Sequence, residues 1–161
     1  VTSISSSNSP DTRAVTDDLI AIFGHVLKHS STPIVEFAER YDLSFTQLKV
    51  MFALAQSAEP SPIGRIARRT GASLPAAGRA IDGLVRHGLA DRSEAPDDRR
   101  VKLVQSTALG DDAMRELLEA RAAILEQFLN DLTGDELSAI AEAIVPLRGL
   151  VETHGCELED E

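Results

Sequence analysis

The chain has no tryptophan, one tyrosine and five phenylalanines in 161 residues. A core without large rings must be aliphatic, and Leu, Ala and their like favour helices. There is one cysteine, Cys156, which rules out an intramolecular disulfide framework and fits a reducing compartment. No apolar run approaches the ~18 residues of a membrane span. The first residues, VTSISSSNSPDT, lack the basic-then-apolar order of a secretion signal. Their serine-rich composition predicts a disordered tail over residues 1–13. A cytoplasmic protein is the expectation. Catalytic spacings are missing as well: no glycine-rich phosphate loop, no HExxH, no recognisable Ser–His pairing. His25 and His29 are four apart but have no carboxylate or thiol close by in sequence. His154 and Cys156 form a loose ligand cluster near Glu157, with an acidic tail expected over residues 155–161. The sequence therefore predicts no enzyme activity, no cofactor and no metal.

Basic residues are scarce overall, and the formal charge is -10. Their distribution is uneven. Residues 1–60 hold 4 basic and 7 acidic side chains, residues 61–110 hold 9 and 5, and residues 111–161 hold 3 and 14. The middle segment is basic between acidic flanks. A local basic patch on an acidic protein points to a polyanion partner that the total charge would conceal.

Apolar residues Leu19, Phe23, Leu27, Ile34, Phe37 and Tyr41 keep helical phase from about Ala14. Pro33 lies inside this run and either kinks one helix or starts a second with Thr32 as its cap. Ser44 and Gln47 have capping-box spacing and open a helix with Leu48, Met51, Phe52 and Ala55 on one face. SPIGRIARRTG reads as a short helix capped by Ser61, with Pro62 in its first position and Gly71 as a left-handed stop. SLPAAGRAIDGLVRHG repeats the pattern, capped by Ser73 and stopped by Gly88, with Ala77, Ile81, Leu84 and Val85 facing inward. Two short helices around a tight glycine turn are a helix-turn-helix signature. The period then changes to that of strands, and Leu89–Ser93 and Val101–Ser106 can pair around a tip at Glu94–Arg100. Thr107 can cap a long helix to about Leu132. Thr133 and Glu136, again at capping-box spacing, can open a last helix with Leu137, Ile140, Ile144, Leu147 and Val151.

The expected fold is mainly α with a small β-hairpin wing: a winged helix-turn-helix plus a helical dimerisation module. The N-terminal helix covers residues 14–43, the winged helix 44–107 and the C-terminal helices 108–154. The block from Gly88 to Gly110 resembles the MarR family of bacterial winged-helix transcription regulators. GLADR is similar to that family's exit from the recognition helix. DDRR, followed at family spacing by ST and ALG, is similar to its wing and the turn beyond, with Asp98, Arg100, Thr107 and Gly110 at the matching positions. The chain departs from the pattern at Ser106, where leucine is usual, and at Leu74, Pro75 and Ala76, where hydrogen-bonding side chains are common.

The resemblance implies a dimeric, sequence-specific DNA-binding regulator of repressor type acting on a palindromic operator. The outward face of the Ser73–Gly88 helix offers Ser73, Pro75, Ala76, Arg79, Asp82 and Arg86. Arg79 reaches either guanine, through its planar fork, or phosphate. Arg65, Arg68 and Arg69 on the preceding helix suit phosphates or solvent. On the wing, Arg100 is the residue for a narrow minor groove, Arg99 suits phosphate, and Asp98 holds the tip or pairs with an arginine. Dimer contacts are expected at Leu19, Ile20, Phe23 and Val26, and at Ile144, Leu147, Leu150 and Val151. The resemblance further implies a small aromatic ligand, for which Phe23, Phe37, Tyr41, Met51 and Phe52 are the lining candidates; as core residues they need no ligand. The alternative is a winged-helix protein acting through protein contacts, or on DNA without a ligand.

Overall fold

The computed structural model describes residues 11–157, apart from the side chains of His29 and of residues 152–157. The sequence readings on residues 1–10 and 158–161, and on the side chains of His29, His154 and Cys156, lie outside the described residues. Helix α1 (Thr12–Ser30) starts two residues before Ala14 because the Asp11 carboxylate accepts the Arg13 N–H at 3.1 Å. Pro33 starts a second helix rather than kinking the first. This helix, α2 (Thr32–Arg40), has Ser31 in the cap position, not the expected Thr32, and the Ser31 hydroxyl donates back to the Lys28 carbonyl at 3.0 Å.

Helix α3 (Phe45–Ala55) opens with the reciprocal Ser44–Gln47 box, at 3.3 and 2.8 Å. Its buried residues are Leu48, Val50, Met51, Ala53 and Leu54. The expected single face of Leu48, Met51, Phe52 and Ala55 is too narrow. Neighbours crowd this helix on several sides, so Val50 is fully buried while Ala55 is exposed.

Ser61 is not a helix cap. With Pro62 it forms a two-residue strand, β1 (Ser61–Pro62), antiparallel to a later strand through Ser61↔Val104 and Pro62↔Leu103. An edge position suits a proline, which has no N–H to give a further neighbour. Helix α4 (Ile63–Thr70) follows and stops on Gly71, whose φ of 63° is left-handed. Helix α5 (Leu74–Arg86) is capped by Ser73, whose hydroxyl accepts the Ala76 N–H at 3.3 Å. It buries Ala77, Ala80, Ile81, Gly83 and Leu84. Val85, expected inward, is exposed, one step of about 100° past Leu84 and outside the stripe.

Strands β2 (Ala90–Glu94) and β3 (Lys102–Ser106) pair antiparallel, giving the sheet order β1-β3-β2. Thr107 caps helix α6 (Ala108–Leu129), which ends three residues short of Leu132. Thr133 and Glu136 exchange hydrogen bonds at the start of helix α7 (Gly134–Glu157). The Thr133 backbone N–H and hydroxyl both donate to Glu136 and hold its carboxyl below the ordinary glutamate value.

Val50, Met51, Ile66, Ile81, Leu84, Leu89 and Val104 are fully buried. Phe37, Met114 and Leu117 extend this core toward α2 and α6. Each such side chain contributes roughly 1.5–3 kcal/mol by leaving water. The core fixes α4, α5 and the hairpin against α3 and α6. The ends of the chain differ: apolar residues of α1 and α7 face outward.

Candidate nucleic-acid interface

The core-facing stripe of α5 leaves its opposite side bare. Ser73, Pro75, Arg79, Asp82 and Arg86 are exposed there, and Ala76 is half-buried. Arg65 and Arg68 are exposed on α4. Arg69 is placed differently: its guanidinium donates to the Ser57 hydroxyl at 2.6 Å and to the Gln56 side-chain oxygen at 3.0 Å. That arginine ties α4 to the end of α3.

The wing is braced at three levels. At its tip the Asp98 carboxylate accepts the Arg100 backbone N–H at 2.9 Å, and the Val101 N–H donates to the Asp98 carbonyl at 2.9 Å. Of the two roles open to Asp98, holding the tip is the one observed. Below the tip, Glu94 and Lys102 face each other in register and form an ion pair at 2.6 Å. At the root, the Thr107 hydroxyl donates to the Gly88 carbonyl at 2.6 Å. These ties leave the Arg99 and Arg100 side chains exposed at the tip.

An ion pair joins the wing to α5. The Arg92 guanidinium of β2 lies 2.9 Å from the Asp82 carboxylate. Beside it runs a cleft of about 430 Å³ lined by Pro62, Ile63, Gly64, Leu74, Gly78, Asp82, Arg92, Arg100, Val101 and Lys102. Leu74, Gly78 and Asp82 of α5 and the wing's Arg100 thus border one groove.

Residues 41–101 match the sequence model of the MarR family. Over 113 residues the chain is 30% identical to YfiV of Bacillus subtilis strain 168, an uncharacterised HTH-type transcriptional regulator, with 70% of each chain covered. The chain belongs to the MarR family. Its backbone is similar to that of RV1404 from Mycobacterium tuberculosis, with a TM-score of 0.76, 22% identity, and 89% and 97% of the two chains covered. It is also similar to the transcriptional regulator Tm0710 of Thermotoga maritima, with a TM-score of 0.74, 19% identity, and 90% and 99% covered. A third likeness is to Streptococcus pneumoniae FabT in complex with DNA, with a TM-score of 0.60, 18% identity, and 89% and 99% covered. At these identities the three structures establish a shared winged-helix fold.

Within this MarR-family fold, the five residues read as a ligand lining differ in burial. Phe37 and Met51 are core residues, Tyr41 and Phe52 are partly buried against the core, and Phe23 is exposed on α1. An apolar recess lies elsewhere, between α1 and α6: about 270 Å³, lined by His25, Val26, Ile124, Leu125, Gln127 and Phe128. The His25 and Phe128 rings lie 5.5 Å apart there, tilted by 41°. The expected dimer residues Leu19, Ile20, Phe23, Ile144, Leu147, Leu150 and Val151 are all exposed, and Val26 is half-buried. Sequence reasoning missed β1, the Arg69 tie and the Arg92–Asp82 pair.

Proposed function

We propose that this MarR-family chain is a dimeric, sequence-specific DNA-binding transcription regulator of repressor type. The observation that carries the reading is the groove between α5 and the wing, bordered by Leu74, Gly78, Asp82 and Arg100, beside the exposed Arg79. A helix of this kind fits the major groove, while an arginine on the adjoining tip reaches the flanking minor groove. Arg79 supplies a planar fork for a base edge. Pro75 and Ala76 offer apolar contact to a thymine methyl. Ser73, Arg65, Arg86 and Arg99 suit phosphates. That FabT of Streptococcus pneumoniae was solved in complex with DNA supports the assignment.

Dimerisation follows from the ends of the chain. Ile144, Val145, Leu147, Leu150 and Val151 are exposed along α7, and Leu19, Ile20, Ile22 and Phe23 along α1. A lone helix is marginal in water without an apolar partner. A second copy would cover both faces and place two recognition helices for a palindrome. The acidic residues of the C-terminal half keep this module away from phosphates. A small aromatic acid is the proposed effector, acting by favouring one separation of the recognition helices. The recess between α1 and α6 supports it better than the aromatic residues named from sequence. Cavities of about 150 Å³ hold benzene, so 270 Å³ suits one ring.

Selection from a random-sequence duplex library tests the reading. Retained duplexes should share a palindromic motif. Recovery of no sequence preference would instead favour action through protein contacts.

A further inference from the structure

Asp82 is out of place for a polyanion partner. It lies on the exposed side of α5, three residues after Arg79 and four before Arg86, hence between them on one helical face. A carboxylate carried into a DNA groove would meet phosphate charge, and like charges brought together disfavour binding strongly. The wing supplies the remedy. Strand alternation puts Arg92 on the same side of β2 as the buried Ala90, the side facing α5. From there its guanidinium reaches the Asp82 carboxylate at 2.9 Å, and the arginine side chain is the less exposed of the two, at 31% against 55%.

We infer that Arg92 is a positioning residue for DNA binding: by pairing with Asp82 it neutralises and holds aside a carboxylate that would otherwise face the phosphates. The inference rests on the DNA-binding reading and deepens it. Arg92 acts through Asp82 and need not touch DNA. The two other cations lining the groove differ from it. Lys102 is paired to Glu94 within the wing, and Arg100 is held by its backbone at the tip. Arg92 alone of these bridges the two reading elements. Its loss leaves a bare carboxylate at the interface, whereas loss of both partners removes the charge problem altogether.

Binding of full-length protein to a duplex recovered by the wild type from a random library is measured for Arg92→Ala, Asp82→Ala and the double variant, with thermal melting of each. Arg92→Ala should weaken binding about tenfold or more, as expected for an uncompensated charge beside its partner's charges. Asp82→Ala should bind as the wild type or tighter. The double variant should recover to within about threefold of the wild type, the sign of strong coupling in a cycle. Arg92→Lys, which keeps the charge, should stay closer to the wild type than Arg92→Ala. A double variant as weak as Arg92→Ala overturns the inference and makes Arg92 a direct DNA contact. Equal binding by Arg92→Ala and the wild type overturns it too. A wild-type protein that retains no duplex removes the DNA-binding reading, and this inference with it, before any variant is made.

Discussion

The Thr107 hydroxyl donates to the Gly88 carbonyl at 2.6 Å and accepts the Gly110 N–H at 3.0 Å. One side chain thereby closes the root of the wing and caps α6. The Thr107 backbone N–H adds a third bond, to the Leu89 carbonyl at 3.2 Å. Thr107→Val keeps the shape and loses the hydroxyl. It should destabilise the fold by about 1–2 kcal/mol, the usual cost of a lost cap. Thr107→Ser should cost less than half of that. Chemical denaturation of both variants checks the difference.

Gly110 follows from the same junction. A Cβ there would collide with the Leu89 carbonyl oxygen and the Ser106 hydroxyl. The first is backbone and cannot swing aside. Gly110→Ala should therefore destabilise by roughly 1–3 kcal/mol, as overpacking does, even though alanine is the better helix former. A melting temperature equal to that of the wild type would show that the junction relaxes freely.

The exposed apolar faces of α1 and α7 predict a homodimer. Sedimentation at micromolar concentration should give about twice the chain mass of 17.3 kDa. Leu147→Glu puts a charge on the α7 face and should shift the protein toward the single-chain mass. A monomeric wild type that still binds a palindrome tightly would refute the interface.

Helix α7 also predicts a pH dependence. Hydrogen bonds from Thr133 lower the Glu136 pKa in the folded protein. A depressed carboxyl pKa stabilises the fold above its unfolded value, and the gain is lost as pH falls through the folded pKa. The start of α7 should therefore weaken only in acid, below the ordinary glutamate range. Glu136→Ala should show the weakened behaviour at neutral pH and lose that acid-dependent step. Circular dichroism of the two proteins against pH separates the outcomes.

Most helix boundaries were legible because their signals are local. Ser44–Gln47, Thr133–Glu136, Ser73 and Gly71 each act within a few residues, and each was found where the sequence put it. Distant geometry was not legible. Two residues are too few for a strand period, so the sequence of β1 suggests a helix cap. Val85 continues an apolar stripe in sequence, and one helical step past Leu84 decides its exposure only once the edge of the core is known. The Arg69 tie to Ser57 and the Arg92–Asp82 pair depend on how separate elements pack. The aromatic residues were grouped by chemistry, but the fold buries Phe37 and Met51 and turns Phe23 outward.

If α5 and the wing read DNA together, removing their exposed arginines one at a time should change binding in different ways. The affinity of a library-selected duplex for the wild type, Arg79→Ala, Arg99→Ala and Arg100→Ala is titrated at several salt concentrations. Arg100→Ala should weaken binding by roughly 1–3 kcal/mol, the range of one good contact. That loss should vary with the A·T content beside the half-site, because minor-groove width depends on sequence. Arg99→Ala should weaken all duplexes alike and reduce the salt slope by about one unit. Arg79→Ala should relax the choice at one base pair. All three residues are exposed, so folding and dimer mass should hardly change. Unchanged affinity of Arg100→Ala for the selected duplex would contradict the account and make the wing tip a solvated turn.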